Sequence, residues 1–182
     1  MLESDLGFLV KGDLLPREQI AAFCKEAGYQ CRGIPLHKEP DGPILAWVKY
    51  GPTVTRAEAL TQDWVAKALD ADPEAPVRVP RVHDFFTIRT LYSTIGHIVM
   101  EHVATPNCAE SDVELVAKAV EWLIRVPAPT SVPGPVGGGP VVHSFFYDWA
   151  SHITYHTVDE LQDHVNGVSA NFLVCPHYSR PW

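Results

Sequence analysis

The 182-residue chain is 46% hydrophobic and 20% charged, which is enough apolar material for one ordinary domain or two small lobes sharing a cleft. Fourteen basic residues against 22 acidic ones give 14 − 22 = −8, with no Lys/Arg cluster, so a nucleic-acid partner is disfavoured. The opening residues Met1 to Leu6 carry no secretory signal, and no stretch approaches the roughly 18 apolar residues of a membrane span; a cytoplasmic protein with no membrane partner is expected.

The first predicted element is a helix over Pro16 to Ala27, with Pro16 suited to a first turn and Gly28 as the stop. Tyr29 to Leu36 and Ile44 to Tyr50 read as strands joined by the turn Glu39-Pro40-Asp41-Gly42-Pro43, a hairpin. Thr55 and Glu58 have capping-box spacing and open a helix that runs to about Asp70. Asp72 to Pro76 breaks the chain, and Val77 to Ile88 and Ile95 to Val103 follow as two further strands. Ser111 and Glu114 form a second capping box. Val113, Val116, Ala117, Val120, Leu123 and Ile124 then share a helical face that Pro127 ends. Pro127 to Pro140 is a Pro/Gly loop, and Thr157 to Val165 a last short helix. Segregated strands and helices in this order predict an α+β fold.

Lys49 lies inside the apolar run Ala46-Trp47-Val48-Lys49-Tyr50, where an ammonium requires a partner or water. It could simply face solvent on an edge strand, and Glu58 already has a use as a capping-box carboxylate. The four cysteines (Cys24, Cys31, Cys108, Cys175) lack CxxC spacing and read as reduced thiols rather than a zinc site. Gly134 to Gly139 lacks the GK[ST] of a P-loop and reads as a turn-forming loop. His152, His156, Glu160 and His164 recur at steps of four, but Thr157 starts the helix after the first two histidines, so solvent-facing or hydrogen-bonded roles are favoured over zinc. Phe145, Phe146, Tyr147 and Trp149 read as a packing cluster.

Val48-Lys49-Tyr50-Gly51, Glu58-Ala59, Val79-Pro80-Arg81-Val82 and Val99-Met100-Glu101 occur in an order similar to that of fungal aminoglycoside-phosphotransferase-like proteins, a protein-kinase-like group. Ala117 to Pro129, Gly134 to Gly139 and His143 to Phe146 also resemble that group, so the likeness spans about residues 44 to 174. It implies a small antiparallel β lobe with one flanking αC-type helix over residues 1–103, including the hinge. An incomplete, mainly helical lobe would follow over 104–182. It also implies ATP and Mg2+ as cofactors and phosphoryl transfer to a small-molecule hydroxyl. Lys49 would hold the α/β-phosphates, Glu58 would orient Lys49, and the backbone of Met100, Glu101, His102 and Val103 would take the adenine edge. Met100, an apolar residue on a buried strand, also reads as core.

The resemblance places the catalytic loop at His164-Val165-Asn166 to Asn171-Phe172-Leu173-Val174, with Asn166 where the family has its aspartate and Asn171 at the magnesium-ligand position. An amide can neither act as a carboxylate base nor supply its charge. Alternatively, His164-Val165-Asn166 belongs to the preceding helix and only the Ser169 to Val174 part of the loop remains. In either case the aspartate is absent. No Asp or Glu follows Asn171 before the last residue, Trp182. Impaired catalysis is therefore expected. A non-catalytic pseudokinase-like module that binds nucleotide or protein, or a truncated product, are the alternatives.

Overall fold

The computed structural model describes residues 14–31, 33–39, 41–106, 108–146 and 149–174, the side chains of 168–174 excepted. The fold is α+β. Among the described residues, four strands form one antiparallel sheet and are accompanied by four α-helices. The chain divides into two compact units, Met1–Val126 and Pro127–Trp182. The helix that the sequence reading grouped with a second lobe therefore falls within the first unit.

Helix α1 (Arg17–Ala27) leads to strand β1 (Gly33–His37), which pairs with β2 (Ile44–Gly51) as the expected hairpin. Its turn is closed by the Gly42 N–H donating to the Glu39 carbonyl at 3.0 Å. Helix α2 (Arg56–Asp70) connects this hairpin to a second one, β3 (Val82–Arg89) and β4 (Thr94–Met100). The strand order is β1-β2-β4-β3, so β2 and β4 are central. The third strand starts five residues later than expected, because it pairs only beyond Pro80, which has no N–H to give to a ladder.

Strand alternation divides the sheet between two helices. Ala46, Val48, Tyr50, Phe86 and Val99 point to the α1 side, where they enclose Ile20 and Cys24. Val82, Phe85, Ile98 and Met100 point to the other side, where they meet Val54, Ala59 and Leu60 at the start of α2. Burial pushes the Cys24 thiol up to about 12, so it is an apolar core residue rather than a nucleophile. On the α1 face, Arg17 donates through Nε and Nη2 to both carboxylate oxygens of Asp84, at 2.7 Å each, and lies over the Phe86 ring.

Beyond the sheet, a short 3-10 helix (Glu110–Asp112) leads into α3 (Val113–Arg125). The start is not capped by Ser111 as predicted. The Asp112 carboxylate instead accepts from the Ala109 N–H at 2.8 Å, which puts the cap of the 3-10 turn at Ala109, two residues earlier, and Ser111 inside that turn. The apolar face of α3 exists, but none of its residues is buried.

In the second unit, residues 127–141 form no regular helix or strand, as the Pro/Gly composition predicted. Ser151 is a buried hub: its Oγ accepts from the Val141 N–H at 2.9 Å and donates to the Ile153 carbonyl at 2.8 Å. Helix α4 spans Val158–Val174, nine residues further than expected. Thr157 caps it, accepting from the Glu160 N–H at 3.1 Å, and Glu160 returns to the His156 N–H at 2.6 Å.

Candidate functional site

Lys49 is on β2, a central strand, so the edge-strand reading does not hold. Alternation sends its side chain to the α2 side, along with that of Trp47. Opposite it, Thr55 starts α2 by accepting the Glu58 N–H at 3.1 Å. The second half of the predicted capping box is not made: the Glu58 carboxylate does not turn back to the Thr55 amide but accepts from Lys49 Nζ through Oε1. Glu58 thus ties the first turn of the helix to the middle of the sheet.

The pair is partly open to water, with 42% of the Lys49 side chain and 34% of the Glu58 side chain exposed. Exposed ion pairs contribute about 0–1 kcal/mol, so stability alone gives little reason for a lysine there. What the arrangement provides is an ammonium held at one place, with donor capacity left for an anion.

The side chains are brought together by a close approach of backbone. Val54, just before the Thr55 cap, is buried and lies over Gly96 of β4. A Cβ built on Gly96 would stand 2.0 Å from the Val54 carbonyl oxygen. Only glycine lets this segment sit so low, and that height sets where α2 begins.

The predicted hinge follows at the end of β4. Met100 is 8% exposed and its sulfur accepts from the Gln62 amide at 3.4 Å, so its side chain is core, as the apolar reading had it. The Glu101 N–H donates to the Arg81 carbonyl at 2.9 Å, and its side chain pairs with Arg78 at 2.6 Å. The Val103 carbonyl accepts from the Thr105 N–H at 3.0 Å. The His102 ring stacks on Trp47, with centroids 6.4 Å apart.

Trp47 is the residue that sequence reasoning passed over. It shares the Lys49 face, and its indole lies so close to Gly33 that a Cβ there would meet Nε1 at 2.5 Å. The available signal was its spacing of two from Lys49 on one strand.

His164, Asn166 and Asn171 lie in the second unit, on the unbroken helix α4. The reading that places His164-Val165-Asn166 on a helix matches the backbone; the loop reading does not, because Gly167 continues the helix instead of ending it. His164 Nδ1 is hydrogen-bonded to the Tyr155 hydroxyl at 2.7 Å, and its ring packs edge-on against Phe146. It acts as a packing residue there. Asn166 is exposed, while the Asn171 side chain lies outside the described residues. No group of three or more His, Cys, Asp or Glu gathers as a metal site among the described residues. Also among the described residues, no helix is long and apolar enough to cross a membrane.

No protein-family model, curated protein or solved structure matches this chain.

Proposed function

We propose that the chain is a kinase-like protein that binds the phosphates of ATP at Lys49. The aminoglycoside-phosphotransferase-like reaction, phosphoryl transfer to a small-molecule hydroxyl, is impaired or absent in it. The observation carrying this reading is the Lys49–Glu58 ion pair between a central strand and the first turn of α2. A carboxylate holds the lysine in place, and the ammonium supplies the positive charge that a triphosphate needs. The next central strand, β4, ends at Met100, which pairs with Trp47 two residues from Lys49, and the backbone proposed to take the adenine edge continues from there through Val103. The non-catalytic alternative draws on Asn166, an exposed amide on a helix where the family reaction needs a carboxylate in a loop.

A thermal-shift titration with Mg–ATP tests the binding. At tenfold excess over Kd the native state gains about 1.4 kcal/mol, which raises Tm by roughly 3–6 °C for a chain of this size. Lys49→Ala should lose most of this ligand-dependent shift. Its own Tm should fall by no more than about 4 °C, since the half-exposed pair contributes at most about 1 kcal/mol. Equal and negligible shifts for both proteins at about 5 mM Mg–ATP would remove the nucleotide site. ATP turnover with an added hydroxyl acceptor would reject the non-catalytic alternative.

A further inference from the structure

The opposite face of the sheet carries a second candidate site, independent of the Lys49 reading. A groove of about 910 Å3 runs between α1 and the β3–β4 hairpin. One wall is the helical stripe Glu18, Ala21, Ala22 and Lys25; the other is the hairpin, including Ile88, Arg89 and Ile95. The two alanines keep the helix wall shallow, and the interior is mostly apolar. At the hairpin tip, Leu91 and Tyr92 are 94% and 96% exposed. The turn that presents them is fixed: the Thr90 hydroxyl accepts from the Ser93 N–H at 3.0 Å and donates to the Ser93 carbonyl at 2.7 Å.

His97 belongs to the lining of this groove and is 2% exposed. Its ring is stacked between Phe86 on β3, 4.6 Å away and 4° from parallel, and Tyr50 on β2, 6.1 Å away and 13° from parallel. An apolar ring would fill this row equally well. The imidazole instead brings a buried Nδ1 with no hydrogen-bond partner among the described residues, although the backbone carbonyls of Ile95 and Phe86 also lie against the ring. Buried polar atoms are nearly always satisfied, so a lone one in the lining of an apolar groove points to a missing partner. Burial also lowers the His97 pKa, which keeps the ring neutral and able to accept a hydrogen bond.

The charges indicate the rest of that partner. Lys25 and Arg89, on opposite walls, form no ion pair among the described residues, in a chain whose net charge is −8. The groove's one carboxylate, Glu18, lies in the field of the neighbouring Arg17.

We propose that this groove binds an amphipathic hydroxy-carboxylic acid. Its apolar body lies between the alanine stripe and Ile88 and Ile95, its hydroxyl donates to His97 Nδ1, and its carboxylate sits between Lys25 and Arg89. Nδ1 is covered in the free protein, so binding in this way requires the wall side chains to reseat.

Histidine-selective NMR of the full chain, titrated with hydroxyphenylpropionate, tests this. The His97 ring signals should shift saturably. Phenylpropionate, without the hydroxyl, and hydroxyphenylpropionamide, without the charge, should each bind at least about tenfold more weakly. Ala22→Trp, at an exposed helix position, should fill the groove and abolish binding while leaving the melting curve of the free protein in place. His97→Phe preserves the ring stack, so it should fold, erase the preference for the hydroxyl and keep the preference for the carboxylate. Arg89→Glu should do the reverse. The proposal is overturned if His97 is unmoved at about 10 mM ligand, or if Ala22→Trp or His97→Phe leaves affinity and selectivity unchanged.

Discussion

Replacing Gly96 by alanine tests the link between backbone packing and the candidate site. The new Cβ would lie 2.0 Å from the Val54 carbonyl oxygen and 2.9 Å from its carbonyl carbon. Carbon–oxygen contacts settle at roughly 3.3–3.6 Å, so backbone must part by about 1.3 Å or more. Neither side yields easily. Gly96 is paired on both edges, to Gly51 and Thr87, and Val54 is buried and hydrogen-bonded to the Gly51 carbonyl. Overpacking of this kind costs about 1–3 kcal/mol, and alanine's lower chain entropy returns only about 0.5–1 kcal/mol. A net loss of about 1–2 kcal/mol lowers Tm by roughly 2–8 °C, measurable by calorimetry or circular dichroism. The same displacement lifts the Thr55 cap and carries Glu58 away from Lys49, so nucleotide-dependent stabilisation should fall more than the fold does. A Gly96→Ala protein with Tm within about 1 °C of the parent would refute the close approach and the anchoring of α2 built on it.

Two further outcomes concern other parts of the chain. Gly167 lies inside α4 with nothing within 4 Å of a built Cβ, so Gly167→Ala should stabilise the second unit by about 0.5–1 kcal/mol, read as a rise in Tm or helicity. Burial depresses the His97 pKa below 6.5 in the folded state, so between the folded and unfolded values the unfolded chain binds more protons. Stability should therefore hold above about pH 6.5 and decline as pH falls through the folded pKa. A parallel pH series on His97→Phe should lack that part of the decline; identical slopes would show that the histidine does not titrate against burial.

The sheet was legible because each hairpin announces itself locally. Glu39 to Pro43 supplies a turn, and the runs on both sides alternate with period two. Its strand order was not legible, and that order decides the meaning of Lys49: one strand's sequence does not reveal whether it is central or at an edge. Glu58 was read as a complete capping box, since the spacing from Thr55 fits. Only the tertiary fold shows an ammonium from across the sheet competing successfully for its carboxylate. The end of α4 was misjudged for a related reason. Gly167 is a stop when something else claims the carbonyls before it, and here the helix simply continues through Asn166 and Asn171. His97 was passed over because a histidine within Thr94-Ile95-Gly96-His97 has no local peculiarity. Its isolation comes from Tyr50 and Phe86, which are remote in sequence.

The energetics separate the two faces of the sheet by kind. On the α1 face, Arg17 grips Asp84 with two bonds while an apolar cluster seals Cys24, so substitutions there act first on folding. On the α2 face, Glu58 is held near Lys49 by the Thr55 cap, the burial of Val54 and the bare Cα of Gly96. The attraction between the two charges adds little to that, because water screens a pair this exposed. The placement of Glu58 is thus imposed by neutral packing and would survive removal of either charge, whereas the Lys49 ammonium is held by that carboxylate. Lys49→Ala and Glu58→Gln should accordingly leave a folded protein, and any effect they have on anion binding reports on the charges themselves.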